Sequence, residues 1–212
     1  MNSTLEPLEP RFLLNAADVS IRLNGSGRLI VGGTQNDDHI TIYRRSRDKH
    51  IVVRVNDFVR SFHRSRVHAA SIYGYGGDDV IDVSRSKKTY HWADGGAGND
   101  TMIGGIGVEA FYGGDGNDSL TGDTNTDKLF GGDGNDVIVG GGGSDYIDGG
   151  AQRDILLGSA GIDTIKGAGG NDYIHGGGDE ADLIFGGAGN DTASHDPHDS
   201  FNSIEILQEP VF

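Results

Sequence analysis

The chain has 212 residues, among them 37 glycines, 4 prolines and no cysteine, and a formal net charge of −15. Glycine and charge are both unevenly spread: residues 1–94 hold 7 glycines and 14 Lys/Arg against 11 Asp/Glu, whereas residues 95–212 hold 30 glycines and 3 against 21, so the halves carry +3 and −18. So acidic a half repels nucleic acid and anionic membrane and draws cations; the lack of cysteine excludes disulfides and thiolate metal sites and leaves oxygen ligands; no G-X-Y period supports collagen; and no stretch approaches the roughly 20 apolar residues of a membrane span.

Residues 1–16 do not read as a cleavable secretory signal. Glu6 and Glu9 stand where positive charge is needed, and the apolar run Phe12–Leu14 is too short. The segment Leu8-Glu-Pro-Arg-Phe-Leu-Leu-Asn-Ala16 resembles the LEPR-XLL motif at the N-termini of bacterial surface and extracellular repeat proteins. That resemblance implies a sorting-like segment on an exported protein.

Residues 17–94 alternate apolar and polar at Val19/Ile21/Leu23, Ile40/Ile42 and Ile51/Val53/Val55, and Asn56-Asp57 fits a hairpin turn before Phe58. Degenerate turns at Gly33-Thr-Gln-Asn-Asp-Asp-His-Ile40 and Gly74-Tyr-Gly-Gly-Asp-Asp-Val-Ile81 mark this half as irregular β, capping a solenoid, with Asp38 and Asp79 as additional candidate ligands. Its basic run of Arg44, Arg45, Arg47, Lys49, Arg54, Arg60, Arg64 and Arg66 has two open readings. One is contact with an acidic polysaccharide or cell surface; the other is a solvated strand face balancing an acidic neighbour.

From Gly95 a nine-residue unit recurs at 104, 113, 122, 131, 140, 149, 158 and 167. The unit at Gly176 has ten residues, and a last one runs from Gly186 to Ser194. Position six reads Asp100, Glu109, Asp118, Asp127, Asp136, Asp145, Asp154, Asp163, Asp172, Asp182 and Asp191; position eight is always apolar, from Met102 to Ala193. Each unit therefore combines a glycine turn with a short strand that sends one side chain inward. Two units make a coil, coils stack about 4.8 Å apart, and the acidic positions fall into two columns in which residues 18 apart are neighbours. Carboxylates about 5 Å apart repel by roughly 3 kcal/mol at an effective dielectric of 20. One buried side chain per unit is weak compensation for ordering nine backbones, so a divalent cation between successive turns is required.

The nonapeptide pattern G-G-x-G-x-D-x-U-x over residues 95–194 resembles the RTX (repeats-in-toxin) family. The resemblance implies an all-β parallel β-roll, a β-solenoid, that folds on binding calcium. It implies that each ion lies between turns 18 residues apart, held by both position-six carboxylates and by turn carbonyls. Gly114, Gly116 and Asp118 would then face Gly131, Asp133 (through its carbonyl) and Asp136. The carboxylate pairs are 100/118, 109/127, 118/136, 127/145, 136/154, 145/163, 154/172, 163/182 and 172/191, so nine ions is the ceiling in the regular repeat. Glu109 lengthens one ligand, and the insertion near Glu180 threatens to distort the last two pairs.

Residues 195–212 leave the repeat. Phe201–Leu207 alternates like a closing strand over the open edge of the roll, and Glu209-Pro-Val-Phe212 is similar to the uncleaved C-terminal signal of type I secreted RTX proteins, which implies a type I exporter as partner. No H-E-x-x-H, G-x-S-x-G or G-K-[ST] string is present, and an EF-hand reading of Asp123–Asp127 fails because Lys128 and Gly134 occupy its sixth and twelfth positions. The expectation is a non-catalytic extracellular or cell-surface calcium-binding module, structural or adhesive. The alternative is a fragment or relative of a secreted RTX hydrolase or protease whose catalytic domain is not in this chain.

Overall fold

The computed structural model describes residues 18–44, 49–86, 89–178, 180–194, 197–204 and 206–208. The LEPR-XLL-like segment, Arg45, Arg47 and the terminal Glu209–Phe212 lie outside the described residues. The N-terminal half contributes strands β1 (Ser20–Leu23), β2 (Arg28–Gly32), β3 (His39–Arg44), β4 (His50–Val55), β5 (Phe58–His63), β6 (Ala69–Gly76), β7 (Val80–Asp82) and β8 (Tyr90–Ala97). The repeat contributes β9 (Thr101–Ile103), β10 (Glu109–Asp115), β11 (Ser119–Thr121), β12 (Lys128–Asp133), β13 (Val137–Gly142), β14 (Tyr146–Ala151), β15 (Ile155–Ala160), β16 (Thr164–Gly169), β17 (Tyr173–Gly177), β18 (Leu183–Ala188) and β19 (Thr192–Ser194). Strands β20 (Ser200–Asn202) and β21 (Ile206–Gln208) follow.

From β6 onward successive strands go to opposite walls. One sheet has ten strands in the order β1-β2-β6-β8-β10-β12-β14-β16-β18-β20, and the other has eleven in the order β21-β19-β17-β15-β13-β11-β9-β7-β3-β4-β5. From β6 onward all pairing is parallel, and between β8 and β17 its register is 18 residues, as in Phe111↔Leu129 and Leu120↔Ile138. This follows from the nonapeptide: each glycine turn reverses the chain to the other wall, and the second turn returns it one strand spacing further along. The result is an all-β parallel β-roll.

Every position-eight side chain from Met102 to Ala193 is fully buried. These residues form one continuous core between the walls, which Ile72, Ile81 and Ala93 extend into the N-terminal half. Volumes are matched along it: Phe111, the largest fully buried side chain, stands in register between Ala93 and Leu129.

The N-terminal half departs from the coil pattern in two places. Here β3, β4 and β5 form an antiparallel meander on the eleven-stranded sheet, with Asn56 at φ 52° in the β4–β5 turn, and β1 pairs antiparallel with β2. The ten-residue unit, by contrast, does not disturb the roll. Thr164↔Leu183 and Tyr173↔Thr192 keep the ladder in register across it, because the extra residue is taken up in the loop between β17 and β18.

Candidate metal centre

Each glycine turn delivers its position-six carboxylate to the edge of the roll, just before the next strand begins. There the backbone N–H of one acidic residue donates to Oδ1 of its counterpart one coil further on. One column runs Asp100→Asp118→Asp136→Asp154→Asp172→Asp191, with distances of 2.7 to 3.0 Å. The other runs Glu109→Asp127→Asp145→Asp163→Asp182, each 2.8 Å. The two pairs spanning the insertion, 163/182 and 172/191, have the geometry of the rest; the expected distortion is absent because the register is preserved.

The columns also reach beyond the repeat. Asp38 N–H donates to Asp79 Oδ1 and Asp79 N–H to Asp100 Oδ1, at 2.7 and 2.8 Å. At the far end Asp182 N–H donates to Asp199 Oδ1 at 3.0 Å. Asp199 was not expected from the repeat, since it lies 17 residues after Asp182 and outside any nonapeptide.

Oδ1 of these aspartates is thus occupied, and in eight of them the second oxygen has no donor. Oδ2 of Asp79, Asp100, Asp118, Asp136, Asp145, Asp154, Asp163 and Asp172 is buried without a hydrogen-bond donor. A buried, undonated carboxylate oxygen costs free energy unless a cation compensates it. These oxygens point at the first glycine of their own unit. A Cβ on Gly113 would fall between Asp118 Oδ2 and the Gly131 carbonyl oxygen, and one on Gly131 between Asp136 Oδ2 and the Gly149 carbonyl oxygen. The missing Cβ is therefore what leaves an oxygen-lined space between neighbouring coils.

The six residues expected around the 118/136 gap all border it. The Gly114 and Gly116 carbonyl oxygens lie where Cβ atoms on Gly132 and Gly134 would be, so they face the following coil. The Asp133 carbonyl accepts the Gly116 N–H at 2.7 Å, while its side chain is exposed. Hard oxygen donors from two turns, mixing carboxylate and carbonyl, are the ligand set that calcium takes in six- to eight-fold coordination. The residues present fit that ion.

Burial makes this arrangement electrostatically unfavourable by itself. It pushes the carboxyls of Asp118, Asp127, Asp145 and Asp154 up to about 7 and those of Asp100, Asp163 and Asp172 up to about 6. The backbone N–H that each receives pulls the other way, and neighbouring carboxylates such as Asp136 and Asp172 beside Asp154 add to the rise.

A second ladder runs beside the first with opposite polarity. Asn99 N–H donates to Asp78 Oδ1, Asn117 N–H to Asn99 Oδ1 and Asn135 N–H to Asn117 Oδ1, at 2.7 to 2.9 Å. These position-five residues supply hydrogen bonds between coils and leave the position-six Oδ2 atoms untouched.

The start of the second column has a different composition. His91 takes the place one coil before Glu109, fully buried, with Nδ1 3.0 Å from Glu109 Oε1 and Nε2 3.0 Å from Ser86 Oγ. Burial lowers the imidazole to about 4, so the ring is neutral at physiological pH and one nitrogen can donate to Glu109 while the other accepts from Ser86. The connectivity is that of a serine–histidine–carboxylate relay, but a base near 4 is ill-matched to general-base work at neutral pH, and Ser86 is only 3% exposed. Oε1 of Glu109, the imidazole and the Ser86 hydroxyl satisfy one another at the start of the column.

Of the basic run, Arg54, Arg60, Arg64 and Arg66 are exposed. Arg60 Nη1 donates to the Ile21 carbonyl at 2.6 Å, which ties β5 to β1. No helix among the described residues is long and apolar enough to cross a membrane.

Paired carboxylate columns over glycine turns on a parallel roll define a calcium-binding β-solenoid. The chain belongs to the RTX calcium-binding nonapeptide repeat family: that family's model, of 4 copies, matches residues 71–85, 92–120, 121–156, 148–180 and 177–194, more than half of the chain. No curated protein matches it.

Proposed function

We propose that this chain is an exported, non-catalytic calcium module, structural or surface-adhesive, whose roll folds when calcium enters the gaps between coils. In this reading residues 95–194 hold the ions, residues 17–94 cap the roll at one end and residues 195–212 close it at the other. The ligands are the position-six carboxylates Asp100, Asp118, Asp127, Asp136, Asp145, Asp154, Asp163, Asp172, Asp182 and Asp191, joined by turn carbonyls such as those of Gly114, Gly116, Gly131 and Asp133. The single observation that carries it is the row of buried carboxylate oxygens with no hydrogen-bond donor, each facing a glycine and a carbonyl of the next coil.

Calcium does two things there. It neutralises carboxylates that repel along each column, and it bridges coils that amide-to-carboxylate and asparagine bonds also tie at the edges. Extracellular calcium modules bind at about 0.1 to 1 mM, and the reading therefore sets the roll to fold outside the cell, where such concentrations prevail. The N-terminal likeness to exported bacterial repeat proteins supports the same location.

Circular dichroism of the full chain tests this reading. In EDTA the strand signal should be small, and it should appear cooperatively as calcium reaches roughly the millimolar range, with magnesium a poor substitute because it demands tight octahedral geometry. A chain fully β and protease-resistant in EDTA would overturn it.

A further inference from the structure

The turn at Gly122–Asp127 is not built like its neighbours. In the regular turn, positions two and four are glycines at positive φ, such as Gly132 at +118° and Gly134 at +139°. Asp123 and Asn125 occupy those positions here, and neither takes a positive φ. The turn is shaped instead by the Asp123 carboxylate, whose Oδ1 accepts the N–H of Thr124, the N–H of Asn125 at 3.0 Å and the Asn125 amide Nδ2 at 3.1 Å.

That exchange moves a charge into the gap between coils. Oxygens of Glu109, Asp123 and Asp127 all lie within 4.8 Å of one another, whereas the regular gaps draw on two position-six carboxylates. Glu109 supplies an independent sign of a ligand: its side chain is fully buried, His91 Nδ1 holds Oε1 at 3.0 Å, and Oε2 is left without a hydrogen-bond partner. The extra methylene of Glu109 lets one carboxylate reach the histidine that ends the column and still present its second oxygen to Asp123 and Asp127.

We infer that Asp123, a carboxylate the nonapeptide does not supply, joins Glu109 and Asp127 in a three-carboxylate cation site, which binds a calcium ion first and most tightly. Affinity in oxygen-ligand sites rises with the number of charged ligands and the rigidity of the cage. A third carboxylate a few ångströms from the ion adds attraction, and Glu109 is anchored by His91 before any ion arrives. The site also sits where the column begins, so an ion there fixes the first gap and presents Asp127 in place for the next, on Asp145.

The inference rests on calcium binding by the roll, and calorimetric titration with calcium separates the two. Wild-type protein should show one binding step at least about tenfold tighter than the others. Asp123→Asn keeps the Oδ1 acceptor that shapes the turn and removes the charge; it should abolish the tight step and leave the weaker ones. Glu109→Gln, which keeps an acceptor for His91, should do the same through a second residue. Asp57→Asn, which removes an exposed carboxylate of equal charge in the β4–β5 turn, should leave the tight step in place. Wild-type protein that binds no calcium overturns the proposed function and this site together. Binding without a distinct tight step, or a tight step that survives both Asp123→Asn and Glu109→Gln, overturns this site alone.

Discussion

The backbone N–H of Asp118 donates to Oδ1 of Asp136, 18 residues later, at 2.8 Å, and leaves Asp136 Oδ2 buried with no donor beside the glycine that opens its own turn. The same amide-to-carboxylate step is repeated down both edges of the roll. Within the folded roll it fixes each carboxylate's rotamer, so the ladder and the ion order the same side chains. What the step cannot supply is charge compensation for the second oxygen.

That missing compensation sets a pH dependence. In the ion-free roll burial pushes the carboxyls of Asp100, Asp163 and Asp172 up to about 6 and those of Asp118, Asp127, Asp145 and Asp154 up to about 7, against roughly 4 in the unfolded chain. Between those values the folded state holds more protons than the unfolded one, so the stability of the ion-free roll is present at low pH and is lost as pH rises through about 7. Circular dichroism in EDTA should show more strand at pH 4.5 than at pH 8. Calcium competes with those protons, so its affinity should fall as pH drops from 8 to 6. More ion-free strand at pH 8 than at pH 4.5 would mean the columns are not buried as described.

The first glycine of a unit is predicted to be a ligand-space residue. A Cβ on Gly131 would collide with Asp136 Oδ2 and the Gly149 carbonyl oxygen, whereas one on Gly169 would have only the Gly150 carbonyl oxygen within 4 Å, at 3.7 Å. Calcium titration of Gly131→Ala should show one binding step lost or weakened by tenfold or more, on the order of the 1.4 kcal/mol or greater cost of crowding a packed site. Gly169→Ala should bind as wild type. Equal behaviour of the two variants would remove the glycine from the ion's surroundings.

Ser86, His91 and Glu109 have the connectivity of a hydrolytic relay, and burial argues against that use. The calcium-loaded chain should hydrolyse p-nitrophenyl acetate no faster than its Ser86→Ala variant. Turnover that disappears in Ser86→Ala would make the chain an enzyme.

Much of this architecture was legible in the sequence because a period of nine holds carboxylate and apolar side chain at fixed positions. Asp118 and Leu120, two residues apart, already specify an edge and a core. Glu180 seemed a threat to the final pairs, yet a one-residue insertion in a turn leaves strand register free to re-form beyond it. Asp38 was hard to pair with Asp79 because the β3–β5 meander lengthens the coil between them to 41 residues. His91 was within reach, since it lies one 18-residue step before Glu109, but an imidazole does not announce itself as the end of a carboxylate column. Asp123 was visible as a departure from glycine and as the start of an EF-hand-like string that fails. Its meaning depends on where the Glu109 and Asp127 side chains end, which spacing does not specify.

The column geometry itself is tested most directly at Asp136, which accepts from Asp118 and donates its N–H to Asp154 Oδ1 at 2.9 Å. It borders two gaps, so Asp136→Ala should remove about two calcium ions from the calorimetric stoichiometry, given that each hard-ion site relies on its carboxylates. Asp133→Ala deletes an exposed carboxylate of the same turn and should leave the stoichiometry unchanged. Asp127 and Asp145, closer in sequence but on the opposite edge, should keep the ion between them. Equal losses from Asp133→Ala and Asp136→Ala would contradict the account, because acidity in bulk rather than the stacked column would then be holding the calcium.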